Sequence, residues 1–201
     1  MGKVKYRDAL MSLFRKTPVV SVDSVRKIAG EYAYLLLHKM EHRGEIHRIT
    51  KGWYSLLDDP AIAVFCFQPA YLGLQDALSI HNLWEQETNA VIMTTKTVRQ
   101  GVRRICGANA VMWRIPMQQY FGVEYVQYGG TYVPVSDIEK TLLDMVYFRQ
   151  PIEREVLVEA QKQVDGRKLQ EYVKKYGPGF ARLFLEKTGS RILMTTKKIK
   201  R

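Results

Sequence analysis

Cysteine is scarce in this chain: 201 residues hold only Cys66 and Cys106. With no CxxC pair and no third thiol, a disulfide framework and a thiolate zinc site are excluded, and two reduced structural thiols are expected. No apolar run approaches the roughly 18 residues that a membrane span requires. The opening MGKVKYRDAL lacks the apolar core of a signal peptide. These absences predict no membrane partner and a cytoplasmic, nucleoid-associated location. P-loop, dinucleotide-binding glycine, nucleophile-elbow and HExxH motifs are missing, which argues against an enzyme and against any cofactor or metal. Acid is the scarce charge: 20 Asp and Glu face 31 Lys and Arg, for a net charge of +11 and a pI near 9.6. Such a surplus favours polyanions, nucleic acid first among them.

The positive charge is densest at the N-terminus, where residues 1–57 carry eleven Lys and Arg against five Asp and Glu. Residues 20–57 read as two short helices and a basic hairpin. Ser21 is a good N-cap for a first helix that turns Val22, Val25 and Ile28 inward, and Gly30 breaks it. A second helix, 31–43, repeats Ala33, Leu36, Leu37 and Met40 at the spacing of one buried stripe. Its other face carries Tyr32, Tyr34, His38, Lys39 and His42. Gly44 ends that helix, and 45–49 and 53–57 alternate as strands around a Thr50-Lys51-Gly52 turn. Upstream, 4–14 is an amphipathic helix whose Ala9, Leu10, Leu13 and Phe14 roof the same core, with Pro18 as its stop.

This is the order of a winged helix-turn-helix, expected over residues 1–58. In that arrangement the second helix enters the major groove of double-stranded DNA and the hairpin touches the adjoining backbone. Tyr32, Tyr34, His38 and Lys39 are the expected contacts of the helix, flanked by Arg26 and Lys27. His47, Arg48 and Lys51 are those of the wing. A module of the same shape that makes protein contacts only is the competing expectation.

Asp58-Asp59-Pro60 is a turn signal and the expected boundary. Residues 59–201 read as a mixed α/β domain with a helical C-terminal part, so the class expected for the whole chain is α+β. Residues 61–67 read as a buried strand and 73–83 as a helix. Further strands are expected at 91–94, 110–115, 123–128 and 131–135, the last two joined through Gly129-Gly130. Ser136, three residues before Glu139, reads as a capping box that opens a helix through Phe148. Helices are then expected at 152–164, 168–176 and 180–186.

Three segments resemble a known family. GEIHRITKGWYSL, from Gly44, has a glycine, a basic wing and a glycine-aromatic close. LGLQDALSIHNLW, from Leu72, is similar to the helix after the first strand of the family's second domain. VSDIEKTLLDMVYF, from Val135, is similar to its acidic-Lys-Thr-Leu-Leu-Asp block. In order and spacing, over most of the chain, the sequence resembles the AbiEi-type antitoxins, predicted transcriptional regulators of viral defence and type IV toxin-antitoxin operons. The resemblance implies a repressor of its own operon, in typical members beside a nucleotidyltransferase-like toxin, with the second domain needed for antitoxicity. Stand-alone regulators are equally compatible. A low-specificity, chromatin-like DNA-coating protein is the alternative, because the reading helix is poor in Arg, Asn and Gln, which bond bidentately to guanine or adenine.

Other clusters have blander readings. Lys140 and Asp144 share a helix face and could suggest acid-base chemistry, but an i, i+4 ion pair accounts for them. His38, His42 and His47 could hold zinc, yet on a reading helix and wing they serve as well as hydrogen-bond donors to DNA. Lys96, Arg99, Arg103 and Arg104 form a basic run that is either a second DNA contact or a solvated loop. The same alternatives hold for Lys197 and Lys198 in the acid-free tail. No heptad or dimer helix is readable, so the oligomeric state stays open.

Overall fold

Leu10 and Phe14 on α1 (Gly2–Lys16), Val22 and Val25 on α2 (Val22–Ala29), and Ala33, Leu36, Leu37 and Met40 on α3 (Ala33–His42) close one small buried cluster. It lies at the N-terminal end of a mixed α+β protein, whose computed structural model describes residues 2–86 and 88–189. Ser21 caps α2, its Oγ accepting from the Ser24 amide at 3.1 Å. The second helix starts later than its 31–43 pattern predicts: Gly30–Tyr32 is a 3-10 turn and α3 begins at Ala33. The hairpin is formed by β2 (His47–Thr50) and β3 (Trp53–Ser55), and a two-residue strand, β1 (Val20–Ser21), pairs with β3 on its other side. Two residues are too few for an alternation to register in sequence. The Val22 amide donates to the Gly52 carbonyl at 2.9 Å, tying the hairpin turn to the start of α2.

The remainder is built on β4 (Ala70–Leu72), β5 (Ala90–Thr94), β6 (Gly101–Ile105), β7 (Ala108–Arg114), β8 (Val123–Tyr128) and β9 (Thr131–Ser136). They form a mixed sheet in the order β6-β7-β5-β4-β9-β8. Successive side chains point to opposite faces. Leu72, Ile92, Met112, Val133 and Val135 face one cluster, with Tyr71, Val91, Met93 and Trp113 facing another. The first face is covered by the 3-10 segment Pro60–Phe67 and, through Ile49, Trp53 and Leu57, by the N-terminal module. The second is covered by α5 (Ile138–Tyr147), α6 (Arg154–Gln163), α7 (Gly166–Lys174) and α8 (Pro178–Thr188). The short helix α4 (Leu74–Ile80) packs on both clusters. A cleft of about 320 Å³ separates the module from the β8–β9 turn, with Phe14, Pro18 and Leu57 on one side and Gly130 and Thr131 on the other. That turn is Gly129-Gly130, with φ of 50° and 84°, the left-handed pair that a two-residue hairpin demands.

Three expectations are corrected. Residues 61–67 are not a strand: Asp59 accepts from the Ala61 amide at 2.8 Å, Pro60 occupies the first turn, and the segment winds as a 3-10 helix. Its apolar run is buried on every side, so no period survives to separate helix from strand. Ser136 does not cap α5. Asp137 does, accepting from the Lys140 amide at 2.7 Å, while Ser136 Oγ is 2.7 Å from Thr141 Oγ1 and Glu139 accepts from the Asp165 amide. The basic run is only partly a loop, because Arg103 and Arg104 lie on the edge strand β6. Four of that strand's five residues face solvent at least in part, which leaves no hydrophobic alternation to read.

Asp76, on α4, is 7% exposed and accepts from the Val91 amide at 3.2 Å, pinning the helix to β5. Burial pushes its carboxyl up to about 7, against the pull of the Val91 and Thr88 donors. The folded state therefore holds this proton more tightly than the unfolded one, so stability falls as pH rises from about 4 to about 7 and stays reduced above that. Asp76→Asn keeps the shape without the charge. Urea unfolding should find it more stable than the parent at pH 8, by about 2–4 kcal/mol from a rise of about three pH units, with little difference at pH 4. Parallel pH profiles for the two proteins would refute this account.

Candidate nucleic-acid interface

With Ala33, Leu36, Leu37 and Met40 committed to the core, the opposite side of α3 presents Tyr34, Leu35, His38, Lys39 and His42 to solvent. Tyr34 is 58% and Leu35 49% exposed, so the helix offers apolar as well as cationic groups on this face. His38 and His42 stack one turn apart, ring centroids 6.4 Å from one another. Arg26 reaches back from α2, 6.0 Å from the Tyr34 ring centre and 3.7 Å from the Glu31 carboxylate, and Lys27 beside it is exposed. Tyr32 departs from expectation: it sits in the 3-10 turn and packs partly into the N-terminal cluster, which leaves its ring less available than that of Tyr34.

On the hairpin, Arg48 and Lys51 are exposed, and His47 is turned toward Asp58 at 3.6 Å. Lys27, Lys39, Arg48 and Lys51 form no ion pair among the described residues, whereas Arg7 and Arg43 are both drawn to Glu45. The module thus carries unneutralised cations on α2, α3 and the hairpin. Leu35 is the member of this surface that its sequence did not disclose. It falls inside the run Leu35-Leu36-Leu37, where a third leucine looks like core.

Arg99, Arg103 and Arg104 are a separate group at the β6 edge of the large sheet, with Lys96 just after β5. Three of the four are turned onto backbone carbonyls: Arg103 donates to Arg99 O at 2.8 Å, Arg104 to Gly107 O at 3.2 Å and Lys96 to Cys66 O at 3.5 Å. Lys197 and Lys198 lie outside the described residues. Burial pushes the Cys66 thiol up to about 12 and the Cys106 thiol up to about 11, so both stay protonated at neutral pH.

Lys140 and Asp144 are paired as their spacing implies, but not at a surface. Both are completely buried. Tyr71 donates to Asp144 Oδ2 at 2.6 Å and Tyr176 to Asp144 Oδ1 at 2.8 Å, while Lys140 Nζ also reaches Tyr176 and lies 4.7 Å from the Phe121 ring centre. Burial lowers the Lys140 ammonium pKa against the opposing pull of Asp144, and raises the Tyr71 and Tyr176 hydroxyls. Beside this group Lys168 bridges Asp137 at 3.0 Å and Glu139 at 2.9 Å. Every polar atom of the Lys140 and Asp144 side chains is spoken for within the fold, so the cluster joins α5 to β4 and to the end of α7 and meets no solvent-borne substrate.

No family model matches this sequence, and no curated protein does. Among solved structures, the RV2827C protein from Mycobacterium tuberculosis is similar in fold, with a TM-score of 0.59 at 11% identity over 98% of this chain and 83% of that one. At that identity the likeness is one of fold alone.

Proposed function

We propose that this protein is a double-stranded DNA-binding transcriptional repressor, reading DNA through a winged helix-turn-helix at its N-terminus. The observation that carries the reading is the bare face of α3. One side of the helix is sealed into the core, while Tyr34, Leu35, His38 and Lys39 stand open and the hairpin that follows exposes the cations Arg48 and Lys51. In this reading α3 lies in the major groove, the hairpin is the wing on the flanking phosphates, and Arg26 and Lys27, in the last turn of α2, approach the backbone. Leu35 and the Tyr34 ring suit thymine methyl groups. The resemblance to the AbiEi-type antitoxins supports the same reading and adds autoregulation and a nucleotidyltransferase-like toxin as a partner.

Because α3 exposes no Arg, Asn or Gln, the rival within DNA binding is a coating protein that relies on charge and shape. A mobility-shift titration on the protein's own promoter and on a scrambled duplex, at several salt concentrations, separates them. The repressor reading expects a promoter preference that survives higher salt. Contacts to five or so phosphates give a slope of log K against log salt of roughly −4.5. Replacing Lys39, Arg48 and Lys51 together by alanine should flatten that slope by about 3. Equal binding to both duplexes would favour the coating protein, and no binding to either would end the DNA reading.

A further inference from the structure

The two edges of the large sheet are treated very differently. β6 is guarded by Arg103 and Arg104 on the strand and by Arg99 just before it. Such charges discourage another strand from pairing there. The opposite edge, β8, has no such guard. Between Arg114 and Asp137 the sequence holds a single charged residue, Glu124, in a chain of net charge +11. No proline, lysine or arginine lies on β8, and Tyr125 is 66% exposed, with Tyr132 on β9 60% exposed.

The register shows which backbone groups this edge offers. Val123 pairs with Ser136 and Tyr128 with Thr131, and one step beyond the ladder the Asp137 amide donates to the Gly122 carbonyl at 2.8 Å. Bonded pairs alternate along an antiparallel ladder, so Gly122, Glu124, Val126 and Tyr128 bond toward β9. Val123, Tyr125 and Gln127 turn their N–H and C=O groups outward. Pro134, opposite Tyr125, fits this phase because its missing N–H falls at a non-bonded position. Outside the β8–β9 ladder, the backbone of Val123, Tyr125 and Gln127 makes no hydrogen bond to other backbone among the described residues.

We propose that β8 pairs antiparallel with β8 of a second copy of this chain, about a two-fold axis through Tyr125. The edge is self-complementary in that register: Tyr125 faces its own counterpart and Val123 faces Gln127 of the second copy. All outward N–H and C=O groups of the three residues are then used. Glu124 falls opposite Val126 of the other copy rather than opposite its own counterpart, so the lone charge on each strand meets no like charge. Side chains directly opposite lie on one face, so the axis runs perpendicular to the sheet and joins two six-stranded sheets into one. Val126, Tyr128, Val133 and Val135 belong to the face on which the N-terminal module packs, and Tyr125 and Tyr132 to the other. Both modules consequently stand on the same side of the joined sheet, as two-fold related reading heads require.

The pairing stands independently of DNA, and its test contains none. Sedimentation velocity on the full chain, over a concentration series, should show a species of twice the 23.3 kDa monomer mass. Tyr125→Pro removes the outward N–H and the exposed ring but no bond to β9, and Tyr125→Lys sets two ammonium groups face to face across the axis. Each should leave a monomer with unchanged circular dichroism and Tm, whereas Val102→Lys on the β6 edge should leave the dimer intact. Should the proline variant fail to fold, the lysine variant decides. Slowed hydrogen exchange at the Tyr125 amide as concentration rises supports the same interface. A parent protein that stays monomeric throughout overturns the proposal, as does a folded Tyr125→Lys variant that stays dimeric.

Discussion

Asp144→Ala should lower the stability of the protein by about 3–5 kcal/mol, the cost of leaving a buried charge without its partner. The variant orphans three groups at once: the Lys140 ammonium, the Tyr71 hydroxyl and one of the bonds of the Tyr176 hydroxyl. Neither the Lys140 ammonium nor the Tyr71 hydroxyl can turn to water, because both side chains are wholly buried. Against a total stability of about 5–15 kcal/mol for a folded domain, such a loss is large. It should appear in urea unfolding as a lower midpoint with little change in slope. The compensated triple variant Lys140→Met, Asp144→Leu, Tyr71→Phe removes the charges and the hydroxyl together, and it should regain most of the loss, because apolar replacements of similar volume often match a buried ion pair. A single Asp144→Ala that unfolds within 1 kcal/mol of the parent would show that water or a counter-charge reaches this group, and the structural role given to it would fall.

Gly122→Ala should cost about as much, for a different reason. Gly122 has φ of +64°, a conformation that costs a side chain on the order of 1 kcal/mol or more. Its added Cβ would lie 2.8 Å from Lys140 Cβ, 2.9 Å from Tyr172 Cε2 and 3.0 Å from Asp137 Oδ2. The first of these is the root of the fully buried Lys140 side chain on α5, and the last belongs to the cap of that helix, so neither can give way without shifting α5. Overpacking of this kind adds about 1–3 kcal/mol. Gly129→Ala separates the two contributions: φ there is also positive, at 50°, but nothing lies within 4 Å of a Cβ. It should lose only about 1 kcal/mol. Equal losses at the two positions would show that the contact with α5 is not the cause.

These expectations come from depth, which sequence shows poorly. The stripe of Ala33, Leu36, Leu37 and Met40 was legible because a helix with one buried face repeats at its own period, and the same period exposes Tyr34, His38 and Lys39. Gly129-Gly130 was legible because only a two-residue hairpin asks for that pair between two alternating runs. Lys140 and Asp144 were legible as neighbours four apart, but a spacing of four says nothing about how much protein lies above them. The covering residues Tyr71 and Tyr176 stand far from them in the chain, and only packing brings them in. The 3-10 segment Pro60–Phe67 was misread for a related reason, since a stretch enclosed on all sides has no polar face to mark its period.

Charge, the helical stripe of α3, the hairpin turns and most strands of the large sheet were thus determined by the sequence alone, because each depends on residues within a turn or two of one another. Tertiary structure alone decided that Lys140 and Asp144 are core, that Asp137 rather than Ser136 caps α5, that Arg103 and Arg104 lie on one sheet edge, and that β8 is the other. Which strands end a sheet, and which charges are sealed beneath helices, is settled by contacts between distant segments, and no local pattern encodes them.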